Sequence, residues 1–273
     1  MADPRDPDRR MLVAVDMESY SGRDNVLQYR AQLAFQKVMK AACEELGFDR
    51  VKWLTQQGGD GELAILSSGT SERMVVTRLA PILDRLLREH NRGLSPEARI
   101  RLRLGVHEGL VHLDGANGYP GEAVVTVCRL VDSPQLKATL RHFPDAAVAL
   151  IVSDRIYEDI VRHYQDLRPE HFQRVVARLP EKNFESIAWI YVPGENVAAL
   201  DAPASSSGRG SCDGPGDDDR SGDLPSSTTA AGSGSGGQVF QNIRSRGVNA
   251  YGNGNVISTS GSPDAPDPWR WLR

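Results

Sequence analysis

Cysteine is scarce in this chain: Cys43, Cys128 and Cys212 are the only three in 273 residues. They are odd in number, far apart and in no metal-ligand spacing, so neither a disulfide framework nor a zinc site is expected. Long hydrophobic runs are lacking as well. No window approaches the ~20 apolar residues of a membrane-spanning helix. No apolar run precedes Met11, so no secretory leader is expected. Charge of one sign is not in excess either. Lys and Arg number 32 and Asp and Glu 36, and 32 − 36 leaves −4. Sequence-independent nucleic-acid binding needs a basic surplus, which is absent. These absences lead us to expect a cytoplasmic protein with no membrane and no nucleic-acid partner.

What is present divides near residue 200. Residues 196–237 are dominated by Ser, Gly, Asp, Pro, Thr and Ala, and beyond residue 200 Leu224 is their only large aliphatic side chain. Such a stretch cannot bury enough apolar surface to offset its ordering entropy, and it reads as a disordered linker. A different segment, 238–260, follows, and then a tail, 261–273. The globular part is expected at 11–195.

Within that part strand and helix patterns alternate. Met11–Val15 is an apolar run of strand length. Leu27, Ala31, Phe35, Val38, Ala42 and Leu46 recur at helical spacing, and Gly47 supplies a stop. Two further apolar runs, Val51–Leu54 and Leu63–Leu66, flank Gln-Gln-Gly-Gly-Asp-Gly-Glu, which predicts a hairpin. Met74, Val75, Leu79, Leu83 and Leu86 mark a second helix. Ile100, Leu102, Leu104 and Val106 alternate as a strand. Val124, Val127, Leu130 and Leu136 suggest a third helix. A strand at Val148–Val152, a short helix through Ile156 and Ile160, and a hairpin from Val175–Leu179 and Ala188–Val192 complete the domain. Cys43 and Cys128 fall in helical patterns as small core residues, and Trp53 and Trp189 are expected to pack in the core. The fold class is α/β (α+β): a ferredoxin-like split βαβ core, β-α-β-β-α-β, extended by further helices and a terminal hairpin.

Two carboxylates stand where such a fold would bring them together. Asp16 ends the first strand, and Asp60 occupies the tip of the hairpin. Convergent carboxylate oxygens suit Mg²⁺ or Mn²⁺, which are held by one or two carboxylates together with phosphate oxygens. Two such ions can activate an attacking oxygen and stabilise a leaving group. The plainer alternative is a strand-end cap and an ordinary turn residue.

Five segments resemble class III adenylyl and guanylyl cyclases. They are Val-Ala-Val-Asp-Met-Glu-Ser-Tyr-Ser (13–21), Gly-Asp-Gly-Glu-Leu-Ala-Ile-Leu (59–66), Leu-Gly-Val-His-Glu-Gly-Leu-Val (104–111), Gly-Tyr-Pro-Gly-Glu-Ala-Val-Val-Thr-Val-Cys-Arg-Leu-Val-Asp-Ser (118–133) and Ile-Val-Ser-Asp-Arg-Ile-Tyr (151–157). They keep the family's order over residues 11–192. Gly-Gly-Asp-Gly-Glu alone also resembles the hairpin of diguanylate cyclases, but the Val-His-Glu-Gly strand and the Gly-Tyr-Pro-Gly segment favour the class III family.

The resemblance implies that Asp16 and Asp60 bind two Mg²⁺ or Mn²⁺ ions and that Arg129 stabilises the transition state of cyclisation of a nucleoside triphosphate. It places base recognition at Gln56 and Gly118, and triphosphate binding near Lys182. It also implies a head-to-tail homodimer in which Arg129 serves the partner's site. Three positions depart from the family pattern. Its asparagine is Val125, its base-reading lysine or glutamate is Gln56, and the usual aspartate or cysteine partner is Gly118. Gln both donates and accepts, so it could read a different base edge. Loss of one preorganised donor lowers a rate by about 10²–10³, which would leave a slow enzyme. The other reading is a catalytically silent module that binds nucleotide or dimerises. His107 is expected to be a buried strand histidine.

Segment 238–260 interleaves β-formers, among them Val239, Phe240, Tyr251 and Val256, with Asn and Gly, including Asn253 and Asn255. Short Asn-rich apolar segments of low charge can stack as cross-β. The segment resembles bacterial amyloid-signalling motifs and the RIP homotypic interaction motif, which implies a homotypic partner. A docked hairpin or continued disorder are the alternatives, and Trp269 and Trp271 could anchor the tail.

Overall fold

The computed structural model describes residues 6–198 except Gln165. Most of the linker, the whole of segment 238–260 with Val239, Phe240, Tyr251, Asn253, Asn255 and Val256, and the 261–273 tail lie outside the described residues, as does Cys212.

Seven strands form one mixed sheet. In chain order the elements are β1 (Asp8–Met17), α1 (Asn25–Glu45), β2 (Leu54–Gln57), β3 (Gly61–Ile65), α2 (Glu72–Met74), α3 (Ala80–Asn91), β4 (Leu102–Val111), α4 (Glu122–Asp132), α5 (Pro134–His142), β5 (Val148–Ser153), α6 (Asp154–Ile156), β6 (Gln173–Leu179) and β7 (Phe184–Tyr191). The strand order is β2-β3-β1-β4-β5-β7-β6. β1 is antiparallel to both β3 and β4, and β4 and β5 run parallel. The first four strands are the expected split βαβ core, with β3 inserted between β1 and β2.

Alternation along β1 divides the core in two. Met11, Val13, Val15 and Met17 face α1 and α3, together with Phe35, Met39, Leu83 and Leu87. Leu12 and Ala14 face the other way, against Ala123, Val127 and Val131 of α4. α5 covers β5, β6 and β7 on that second side through Leu136 and Leu140. α4 can lie close to β4 because Gly105 has no side chain: a Cβ there would stand 2.5 Å from Val131 Cγ2. The core reaches Val197, which is fully buried. No helix among the described residues is long and apolar enough to cross a membrane.

Three details differ from the sequence expectation. The run at Val51–Leu54 is not a strand. Arg50–Lys52 forms a 3-10 turn, Val51 is 94% exposed, and the strand starts at Leu54 with all four of its residues exposed. β2 is an edge strand, so periodicity has little burial to report there. The third helix is two helices. Ser133 breaks it, donating to the Leu130 carbonyl and capping α5, whose first residue is Pro134. The second helix contains a π-helical stretch, Val75–Leu79, between α2 and α3. Gly47 ends α1 as expected, with φ of +68°. Cys43 and Trp53 are buried; Cys128 and Trp189 are half-buried.

Candidate functional site

Asp16 extends the Leu12–Ala14 face of β1 to the strand's end, beyond the apolar cover of α4. Its cross-strand neighbours are Gly61 on β3 and Arg103 on β4. Gly61 is dictated by close approach: a Cβ there would sit 1.9 Å from the Val15 carbonyl oxygen. That contact brings the hairpin tip against β1, and the Met17 amide donates to the Asp60 carbonyl at 2.7 Å. The two aspartates therefore converge, as expected from the chain order.

The charge of Asp60 is felt at Asp16. Burial is the largest influence on Asp16 and lifts its carboxyl from 3.8 to about 6; Arg103 opposes the rise, Asp60 adds to it, and Lys137 lowers it slightly. Arg103 forms an ion pair with Asp16 and is only 12% exposed. It already supplies positive charge where a cation would meet Asp16. Among the described residues no group of three or more His, Cys, Asp or Glu side chains could hold a metal. A cation at Asp16 and Asp60 would have to complete its shell from other oxygens. Such a partial carboxylate set suits Mg²⁺ or Mn²⁺ delivered with a phosphate, so the residues fit these ions.

The surrounding loops are tied down. Glu18 pairs with Arg101, whose guanidinium also donates to the carbonyls of Leu140, Phe143 and Ala146. Arg23 donates to the carbonyls of Glu97 and Arg99. On α1, Gln32 reaches both Tyr20 and Gly59. A shallow cleft between α1 and the hairpin is lined by Gln32, Phe35, Gln36, Gln57, Gly58 and Gly59.

Gln56 and Gly118 are also brought together. A Cβ on Gly118 would lie 3.4 Å from Gln56 Oε1, and the glycine holds φ of +103°. Arg129 projects elsewhere, with its guanidinium over the Phe184 ring at 5.5 Å from the centroid. Val125, one turn earlier on α4, is 37% exposed. Lys182 is ion-paired with Asp132, which also takes Lys137. Burial is the largest influence on Asp132 and raises its carboxyl, but the two lysines together hold it below its ordinary range. His107 is half-buried, with Nδ1 2.9 Å from Ser153 Oγ, and burial lowers its pKa.

Sequence reasoning missed Arg103, Lys137 and Gln32. Arg103 had a signal, because it is polar on the strand face opposite the core-facing Leu102 and Leu104. Its partner, however, follows only from the β1–β4 register. Nothing in the local sequence marks Gln32 or Lys137.

No family model matches the chain, and no curated protein matches it. Several solved structures do. The adenylate/guanylate cyclase/hydrolase from Silicibacter pomeroyi is 19% identical, over 69% of this chain and 99% of that one, with a TM-score of 0.47. The guanylyl cyclase Cya2 is 15% identical, over 68% and 93%, with a TM-score of 0.46. The adenylyl cyclase CyaB from P. aeruginosa is 13% identical, over 68% and 94%, with a TM-score of 0.43. At this identity the likeness assigns no residue a role.

Proposed function

We propose that this domain is a divergent class III nucleotide cyclase, which converts a nucleoside triphosphate into a cyclic nucleotide and pyrophosphate. The observation that carries the reading is the convergence of Asp16 and Asp60 at the end of β1, with Arg103 against Asp16. In the reaction the ribose 3′-oxygen bonds to the α-phosphorus, the bond to the β-phosphate oxygen breaks, and the hydroxyl proton leaves to solvent. Mg²⁺ or Mn²⁺ held by Asp16 and Asp60 would supply charge neutralisation and activation of the attacking oxygen.

The chain's own residues account for the remainder. Arg103, which pairs with Asp16 here, would offer its guanidinium to phosphate charge if a cation held that carboxylate. Gln56, which lies against Gly118, offers a donor and an acceptor to a base edge. Arg129 and Lys182 sit on or beside α4 and would serve a second protomer's phosphates in a head-to-tail homodimer. That arrangement accounts for Arg129 resting on Phe184 instead of an aspartate.

A second reading is supported by Val125. An exposed apolar residue stands where the resemblance calls for an asparagine, and Gly118 contributes no side chain. The domain would then be a catalytically silent module that binds nucleotide or dimerises, with output through homotypic assembly of residues 238–260. Under either reading we place the protein in the cytoplasm.

The test is incubation of the full chain with Mn²⁺ and each of ATP, GTP, CTP and UTP, followed by mass spectrometry for cyclic nucleotide. Asp60→Ala is the control. A product that disappears in the variant establishes the enzyme and names its base. No product from any triphosphate, in protein shown to be folded and dimeric, selects the silent module. For the tail, a peptide of residues 238–260 should form thioflavin-positive fibrils. One that stays soluble and unstructured for days removes the homotypic reading.

A further inference from the structure

Asp16 leads into a turn whose apolar anchor is the half-buried Tyr20, packed against the core, and Asp60 sits in a glycine-rich hairpin tip. Asp60 is preceded by Gly58 and Gly59, and the adjoining strand β2 is exposed throughout. Beside the Glu18 and Arg23 ties, three polar ties join the two aspartate loops or close the hairpin. Two are backbone bonds, from the Met17 amide to the Asp60 carbonyl at 2.7 Å and from the Gly58 amide to the Gly61 carbonyl at 2.8 Å. The third is a side chain. Gln32 Nε2 donates one hydrogen to Tyr20 Oη at 2.8 Å and the other to the Gly59 carbonyl at 2.8 Å.

We propose that Gln32 is a positioning residue, one amide nitrogen on a rigid helix that clamps the Asp16 loop to the Asp60 hairpin and sets the spacing of the two carboxylates. The helix supplies the rigidity: Ala31 and Phe35, on either side of Gln32, are buried in the core. The chemistry selects an amide. Two donors on one nitrogen must point at two acceptors, which Glu cannot provide and Leu lacks altogether. Tyr20 takes part through its hydroxyl, and its ring also lies against Gly59, 3.8 Å from where a Cβ would stand. Gln28, one turn earlier, donates to the Arg23 carbonyl and steadies the same loop. The inference rests on the reading of Asp16 and Asp60 as a cation site.

The experiment uses the full chain without nucleotide. Mn²⁺ affinity is titrated by electron paramagnetic resonance in wild type, Gln32→Leu, Tyr20→Phe and Asp60→Ala. Amide hydrogen exchange of residues 57–61 and thermal unfolding are followed in parallel. Each clamp bond is expected to contribute about 5-fold to affinity, and the two together about 30-fold. Tyr20→Phe should therefore lose about 5-fold, because the Gly59 bond remains, and Gln32→Leu about 30-fold. Both should exchange faster at the hairpin while melting within a few degrees of wild type.

Should Gln32→Leu fail to fold, Tyr20→Phe carries the test, since it deletes one oxygen from a half-exposed ring. Equal Mn²⁺ affinity in wild type and both clamp variants, with Asp60→Ala alone losing binding, overturns the clamp and leaves the cation site standing. Affinity loss without faster hairpin exchange also overturns it. Wild type binding Mn²⁺ no better than Asp60→Ala removes the cation site and this inference together.

Discussion

Replacing Asp60 by asparagine should make the metal-free protein more stable at pH 7.5 and abolish its response to divalent cations. Burial lifts the Asp16 carboxyl from 3.8 to about 6, against the pull of Arg103 and with a push from Asp60. An upward displacement of about 2 units is about 3 kcal/mol. The folded carboxyl keeps its proton to higher pH than the unfolded one. The folded state therefore binds more protons between pH 3.8 and about 6. Stability at this site falls as pH rises through that window and stays low above it.

The side chain of Asp16 is 24% exposed. Solvent screening therefore makes about 3 kcal/mol an upper bound. The Asp60→Asn substitution preserves side-chain size and removes the charge, which should recover about 1 kcal/mol of that cost. For a domain of this size the gain corresponds to a melting shift of about +2 to +4 °C. The assay is thermal unfolding of wild type and Asp60→Asn in EDTA at pH 7.5 and pH 5. The gap should shrink at pH 5, where Asp16 already carries a proton. Mn²⁺ at a hundred times its dissociation constant should stabilise wild type by about 2.7 kcal/mol and leave the variant unmoved. A variant less stable than wild type in EDTA at pH 7.5, or a gap of the same size at pH 5, would refute the reasoning.

Gly61→Ala would force a Cβ to within 1.9 Å of the Val15 carbonyl oxygen. It should cost more than about 3 kcal/mol in urea unfolding, or prevent folding, because backbone and not a flexible side chain must move. Arg103→Ala leaves the Asp16 carboxylate without its cation. It should lose about 2–3 kcal/mol at pH 7.5 and less at pH 5, where the carboxyl neutralises itself. His107 is depressed below 6.5, mainly by burial. The unfolded chain takes up this proton more readily, so stability should fall as pH drops below 6.5 toward the folded value. His107→Gln, which keeps a partner for Ser153, should flatten that slope in denaturant titrations at pH 7 and pH 5.

Much of the fold was legible because its signals are local. The spacing of Leu27, Ala31, Phe35 and Val38 reports a helix with one buried face, and α1 has that face. The run ending at Asp16 is a buried strand, and Gly-Gly-Asp-Gly between apolar runs is a hairpin. Where burial is weak the pattern misled. Val51 is apolar yet stands in solvent, since an edge strand and its lead-in bury nothing on the outer side. The break between α4 and α5 was written in Ser133-Pro134, a capping serine followed by a proline that starts the next helix.

The site was half legible. That Asp16 and Asp60 should meet follows from strand order, and strand order follows from the element sequence. Which cation faces Asp16 does not. Asp16 and Arg103 are far apart in the chain and become partners only through the β1–β4 register, a global compromise among all the side chains on both faces. Lys182 is held by Asp132 for a similar reason: the end of α4 and the β6–β7 turn are neighbours only once the sheet has formed. Sequence by itself determined the order of elements, the buried faces and the place of the two carboxylates, because periodicity and turn chemistry act over a few residues. Tertiary structure alone decided the charge balance around Asp16, the approach of Gln56 to Gly118 and the bridge from Gln32 to Tyr20 and Gly59. Ion pairs and side-chain hydrogen bonds depend on register and packing between distant segments, and no local pattern encodes those.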